Sequence, residues 1–171
     1  HQEEGKMALA AAEFARAVRF NPRSVAALNN YAIALIKLEN YEDALEETKR
    51  ILKIQPDHNT SQRRIAKLFA QLLRFDEAVP YLQQALEYHP EDAFLLHEIG
   101  KAHDHCNEPE LALKYLDKAH RLLPEHRHIA LNLSKALHDG GRVEEAIDKL
   151  TAIAHSNLGD QDVWSNLLML H

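Results

Sequence analysis

The amino-acid sequence predicts an all-α solenoid of antiparallel helix pairs, and three observations carry that prediction. Pro22, Pro56, Pro90 and Pro124 fall 34 residues apart, with only Pro80 and Pro109 off the lattice. Alanine obeys the same ruler at Ala10, Ala44, Ala78, Ala112 and Ala146. Within each period the inward positions recur at three- and four-residue intervals, as in Leu45, Thr48, Ile51 and Leu52, and no stretch alternates as a strand would. A fixed period of roughly 20 to 50 residues marks a stack of small units, each able to bury its apolar face only against its neighbours.

The elements follow in order from that ruler. Residues 1–24 precede the first whole unit and read as the end of one helix and all of a second. Whole units run 25–58, 59–92, 93–126 and 127–160, each split into two helical patterns by a polar break: "LENYED", "LLRFDE", "CNEPEL" and "GGRVEE". Asn40 and Gly140-Gly141 suit a helix stop, and Pro109 suits the first turn of a second helix, where its missing N–H costs little. Each lattice proline closes a second helix, since it can neither donate to the helix nor leave its predecessor helical. Pro80 falls beyond the first turn of its helix, so a bend or a displaced start near Val79 is expected. Residues 161–171 read as the first helix of a further unit. One solenoid, cut from a longer array, is the expected organisation of residues 1–171.

Packing registers recur with the same spacing. Ala17, Ile51, Ala85, Ala119 and Ile153 form one, and Tyr31, Ile65, Ile99, Leu133 and Leu167 another. Beside the latter, Ala32, Ala66, Gly100 and Ser134 stay small, which lets helices approach closely.

Composition narrows the chemistry. With 171 residues, 46% hydrophobic and a net charge of −6, the chain is expected to fold around a core and to avoid nucleic acid as a whole. Its one cysteine, Cys106, forms no internal disulfide; a reducing, cytoplasmic setting is compatible and location stays open. No apolar run is long enough to span a membrane. There is no Gly-rich phosphate loop, H-E-x-x-H or nucleophile elbow, so no catalytic residue, cofactor or enzyme activity is assigned.

The segment "VAALNNYAIALIKLENYEDALEETKRILKIQPDH", residues 25–58, resembles the tetratricopeptide repeat, with Leu28 in the family's Trp place, Tyr31-Ala32 in its Leu-Gly place, and Ala44 and Pro56 matched. In the last piece Trp164 takes the Trp place itself. The resemblance implies a right-handed superhelix in which first helices line a concave groove with the second, fifth, sixth, ninth, twelfth and thirteenth residues of each unit. Those columns supply the candidate site: His128 from the second, Asn29, Arg63 and His97 from the fifth, Asn30, Arg64, Asn132 and Asn166 from the sixth, Lys67, Lys101 and Lys135 from the ninth, and Asp104, His138 and His105 from the last two.

An asparagine amide can serve both the N–H and the C=O of an extended peptide. "LNNYA", "LNLSK" and "WSNLL" resemble the asparagine-lined groove of O-linked N-acetylglucosamine transferases, although Arg64 and Glu98 interrupt the row. The three lysines repel one another by only ~0.4 kcal/mol per pair at about 10 Å in water. Together with Arg63 and Arg64 they make an acidic peptide the expected complement. The Lys–Asn–Asn–Lys–Arg pattern of chaperone-tail clamps is not matched.

The histidine-rich "HEIGKAHDHC", residues 97–106, divides on the ruler. His103 and Cys106 fall on packing columns, while His97, Asp104 and His105 fall on the groove side, too dispersed for a zinc site. Asp104-His105 and His138-Asp139 are complementary across units and suggest a carboxylate–imidazole pair. The expected function is a protein–protein interaction scaffold; the alternative is the substrate-recruiting arm of a larger enzyme such as a glycosyltransferase. Trp164, Leu167 and Leu168 offer a route to self-association through an open solenoid end.

Overall fold

The computed structural model of the chain describes residues 2–156 and 161–170. Among the described residues there are ten α-helices and no strand: α1 Gln2–Phe20, α2 Val25–Lys37, α3 Tyr41–Ile54, α4 Asn59–Gln71, α5 Phe75–Tyr88, α6 Ala93–His105, α7 Pro109–Leu122, α8 Arg127–Asp139, α9 Val143–Ser156 and α10 Gln161–Leu170. First helices begin at Val25, Asn59, Ala93, Arg127 and Gln161, and second helices at Tyr41, Phe75, Pro109 and Val143. Helices α1–α5 form one compact unit and α6–α10 a second, and within each unit every helix packs on the next.

Local chemistry explains the starts. Ser24 Oγ accepts from the N–H of Ala27, and Asp92 Oδ1 accepts from those of Phe94 and Leu95. His58 Nδ1 accepts from the N–H of Ser61 in the same repeat position. A cap of this kind is worth about 1 kcal/mol. Pro109 opens α7 as its sequence position predicts.

Of the two expected stops, Gly140-Gly141 ends α8 as expected and Asn40 does not end α2. Asn40 precedes α3 rather than ending α2, and the turning residue is the one before it. Glu39, Leu73, Asn107 and Gly141 all take a left-handed backbone, at φ 60°, 54°, 60° and 76°. The following N–H reaches back to the carbonyls of Leu35, Phe69, His103 and Leu137 in turn. This doubly bonded terminus is the Schellman motif, repeated at every first-helix end of the whole units.

Two further expectations are corrected. The leading segment is one helix from Gln2 to Phe20, because the alanine-rich run contains no break strong enough to end it. Helix α5 begins on the lattice at Phe75 and runs through Pro80, so of the two outcomes expected there, a bend or a displaced start, the displaced start is the one corrected. Burial of Ala78, Leu82 and Ala85 on either side of Pro80 holds the helix across the missing donor.

The core follows the registers read from sequence from α2 onward, whereas in α1 Ala17 is exposed and Ala10 only half-buried. Ala44, Ala78, Ala112 and Ala146 are buried, as are Ile65, Ile99, Leu133 and Leu167. In the first unit Val18, Leu28 and Ile51 pack together; in the second, Leu116, Leu133, Ala136, Leu137 and Ala146 form one cluster. Full burial contributes about 1.5–3 kcal/mol for each of the larger side chains. Gly100 is the tightest point: a Cβ there would lie 2.6 Å from Leu116 Cγ and 3.2 Å from the Ala112 carbonyl oxygen. Leu167 is also buried, in a cluster with Ala130, Leu150, Ile153, Ala154 and Val163. It is therefore not part of an open apolar end, whereas Leu168 and Met169 beside it are exposed.

Candidate functional site

Capping and the inter-helix cores turn the polar columns of the first helices away from their second-helix partners. In the first unit this places Asn29 of α2 against Arg64 of α4, whose Nη2 donates to Asn29 Oδ1 at 2.7 Å. Arg64 Nη1 is buried with no hydrogen-bond acceptor among the described residues. Burial pulls the guanidinium below its ordinary pKa, because a desolvated charge is disfavoured. Next to it opens a cavity of about 500 Å³, lined by Arg63, Arg64 and Lys67 with Thr60, Asn59 and Gln71, and by the apolar Ile36, Tyr41 and Leu68. Asn30 lies nearby on the exposed part of α2.

In the second unit the corresponding link joins α6 to α8. Asn132 Nδ2 lies 2.7 Å from His97 Nε2. His97 is buried, so it belongs to the floor of this face rather than to its reachable surface, which corrects the sequence expectation. Desolvation lowers its pKa to about 4 against the opposing pull of Glu98, whose carboxylate is 4.0 Å from Nδ1. The ring is thus neutral at pH 7, and Nε2 accepts from the Asn132 amide.

The lysine row is largely neutralised here. Lys101 Nζ donates to both Glu98 oxygens at 3.0 and 3.2 Å. Lys135 Nζ meets Asp104 at 2.7 Å and Asp139 at 3.4 Å. The hydrogen bond to Asp104 raises the Lys135 pKa. Asp104 is therefore joined across the repeat boundary to Lys135, not to His138. His138 lies beside Asp139 of its own helix, at 3.2 Å. The flexible lysine reaches what the shorter imidazole leaves. Asn166 Nδ2 donates to the Asp162 carbonyl of its own helix at 2.7 Å, and His128 and His105 are exposed. A smaller cavity of about 140 Å³ is lined by Lys135, His138, Asn166, Ser134, Leu150 and Met169.

His103 and Cys106 sit off this face, as the packing columns predict. His103 is buried, stacked on Tyr115 at 5.4 Å, with Nδ1 2.5 Å from Glu108 Oε2. Among the described residues no three His, Cys, Asp or Glu side chains converge to hold a metal ion. Nor is any helix long and apolar enough to cross a membrane.

Sequence reasoning missed Thr60, Gln71, Ile36 and Tyr41 as neighbours of the arginines. Thr60, Ile36 and Gln71 occupy the second, twelfth and thirteenth columns, so the signal was present. It also missed the offset of the links: Asn29–Arg64 and His97–Asn132 join residues 35 apart, one more than the repeat.

Against known families, the tetratricopeptide-repeat profile matches residues 23–91 and again residues 97–160. The chain belongs to the tetratricopeptide-repeat family. Sperm-associated antigen 1 of Rattus norvegicus is 27% identical over 128 residues, covering 71% of this chain. The chain spans 14% of the length of that relative. Among solved structures it is similar to MamA, residues 41 to the end, from Desulfovibrio magneticus RS-1, at TM-score 0.81 and 21% identity over 94% of this chain and 90% of that one. A tetratricopeptide-repeat protein from Parabacteroides merdae gives TM-score 0.84 at 17% identity over 98% and 67%. YrrB, described as a repeat protein with an unusual peptide-binding site, gives 0.75 at 22% over 94% and 83%. At these identities the likeness carries the tetratricopeptide fold alone.

Proposed function

We propose that the chain is a protein–protein interaction scaffold that holds an extended partner segment on the exposed faces of its first helices. One observation supports this most: in each unit a cavity opens between successive first helices and is lined by their polar columns. Cross-repeat bonds, Asn29–Arg64 and His97–Asn132, fix the floor, so a ligand would meet side chains already oriented. Asn30 is exposed, and Asn132 and Asn166 each keep a carbonyl oxygen for a peptide N–H. A preference for acidic segments is supported in the first unit, where cations line the cavity without carboxylates. In the second unit Lys101 and Lys135 already hold carboxylates of their own.

The test is selection of peptides from a random display library on the whole chain. Substitution of Asn30, Asn132 and Asn166 by Ala should abolish binding of the selected peptides, and Lys53→Ala with Asp148→Ala, on second helices, should not. Peptides indifferent to the first set and lost with the second would place binding on the other face and refute the reading.

A further inference from the structure

The cavity between α2 and α4 differs from the rest of the surface in how its charge is arranged. Elsewhere a cation is commonly matched on its own helix or at its start: Arg74 by Glu77, Lys101 by Glu98, Arg121 by Asp117 and Arg142 by Glu145. Arg64 and Lys67 line this cavity together with Arg63, which has a partner of its own, and no aspartate or glutamate is among the lining residues. Arg64 is aimed by Asn29 through one terminal nitrogen and keeps the other buried without an acceptor among the described residues. Burial of the guanidinium also lowers its pKa. A guanidinium does not relieve that burial by losing its proton, and an anion in the adjoining cavity would supply counter-charge close to it.

The remaining lining identifies the rest of the ligand. Ile36, Tyr41 and Leu68 give the cavity an apolar portion, and its volume of about 500 Å³ exceeds what a lone inorganic ion fills. Cavities of roughly 300–1,000 Å³ accept organic groups with an apolar body and a few polar anchors. Resting on the reading of first-helix faces as the binding surface, we propose that this cavity docks a phosphorylated side chain, phosphotyrosine foremost, from an extended segment of a partner protein. The phosphate brings nearly two negative charges and three acceptor oxygens to a cavity lined by Arg64, Arg63 and Lys67. The ring would lie along Ile36, Tyr41 and Leu68. A glutamate side chain carries one charge and has no ring to use that apolar portion.

The experiment is titration of the ¹⁵N-labelled whole chain with phenyl phosphate, phenylacetate and inorganic phosphate, followed by amide and arginine Nε–H shifts. The expected result is a saturable set of shifts confined to residues 59–71 with Ile36 and Tyr41. Phenyl phosphate should bind about tenfold more tightly than either other anion, the equivalent of one charge-assisted hydrogen bond. Arg64→Gln should abolish the response. Because that change also breaks the bond to Asn29, the exposed Lys67→Gln is the second variant and should weaken binding about threefold. Lys53→Gln, on the exposed face of second helix α3, should change nothing. Equal affinity for phenyl phosphate and phenylacetate would overturn the phosphate assignment. Equal affinity for inorganic phosphate would mean an adventitious ion only. Absence of localised shifts would overturn the site. If unphosphorylated library peptides still bind and still require the first-helix asparagines, the broader scaffold reading survives that failure.

Discussion

His97 makes the chain's stability depend on pH in a direction fixed by its burial. In the unfolded chain its imidazole has the ordinary value of 6.5, and in the fold desolvation lowers it to about 4. Between those values the unfolded chain binds the extra proton, so stability is complete above the unfolded value and is lost as pH falls from about 6.5 towards 4. Linkage between the two values gives a loss of about 2 kcal/mol from pH 7 to pH 5. Protonation also removes the acceptor at Nε2, which the Asn132 amide needs. The assay is urea denaturation at pH 7 and pH 5, comparing the wild-type chain with His97→Gln, which can still bond to Asn132 but cannot titrate. The midpoint of the wild type should fall further than that of the variant, by the equivalent of about 2 kcal/mol. Buried His120, whose pKa is also lowered by desolvation, acts in the same direction in both chains and cancels in the comparison. Parallel pH dependence in the two chains would refute the burial argument.

Other consequences follow from single contacts. Gly100→Ala should destabilise by ~1–2 kcal/mol, the overpacking against Leu116 exceeding the roughly 1 kcal/mol gained in helix propensity; the same change beside Leu116→Ala should be neutral or stabilising in a urea melt. Leu73→Gly should stabilise by ~0.5–1 kcal/mol, because Leu73 is exposed and strained at φ 54°, and a lowered thermal midpoint would contradict that. A double-mutant cycle on Lys135 and Asp104 should give a coupling of ~0.5 kcal/mol that shrinks in salt, since the lysine is well exposed; a coupling above about 2 kcal/mol would mean a desolvated pair instead.

The fold was legible because its period is written in residues with few backbone options. Proline after α1, α3, α5 and α7, and buried alanine at Ala44, Ala78, Ala112 and Ala146, leave little freedom, and the first helices start where that ruler puts them. The helix ends were less legible. Gly141 and Asn107 advertise a left-handed turn, while Glu39 and Leu73 adopt it because the Schellman bonds and the next helix require it. The candidate site was legible by column and not by partner. Reading positions 34 apart placed Arg64 and Asn132 correctly on first helices but hid their bonds, which run between neighbouring columns. The same limit misled on His97: its column is polar, yet Asn132 of the next repeat covers it. Asp104 shows the opposite case, where the long Lys135 side chain reaches across a boundary that an imidazole does not.

The central claim is that first-helix faces are where a partner lies. Site-specific photo-crosslinking measures this most directly, with the reactive residue placed singly at Asn30, Thr60 or Asn166 on first helices and at Lys53, Glu87 or Asp148 on second helices. A selected peptide should crosslink from the first three positions and not from the last three. Crosslinks confined to Lys53, Glu87 and Asp148 would contradict the account.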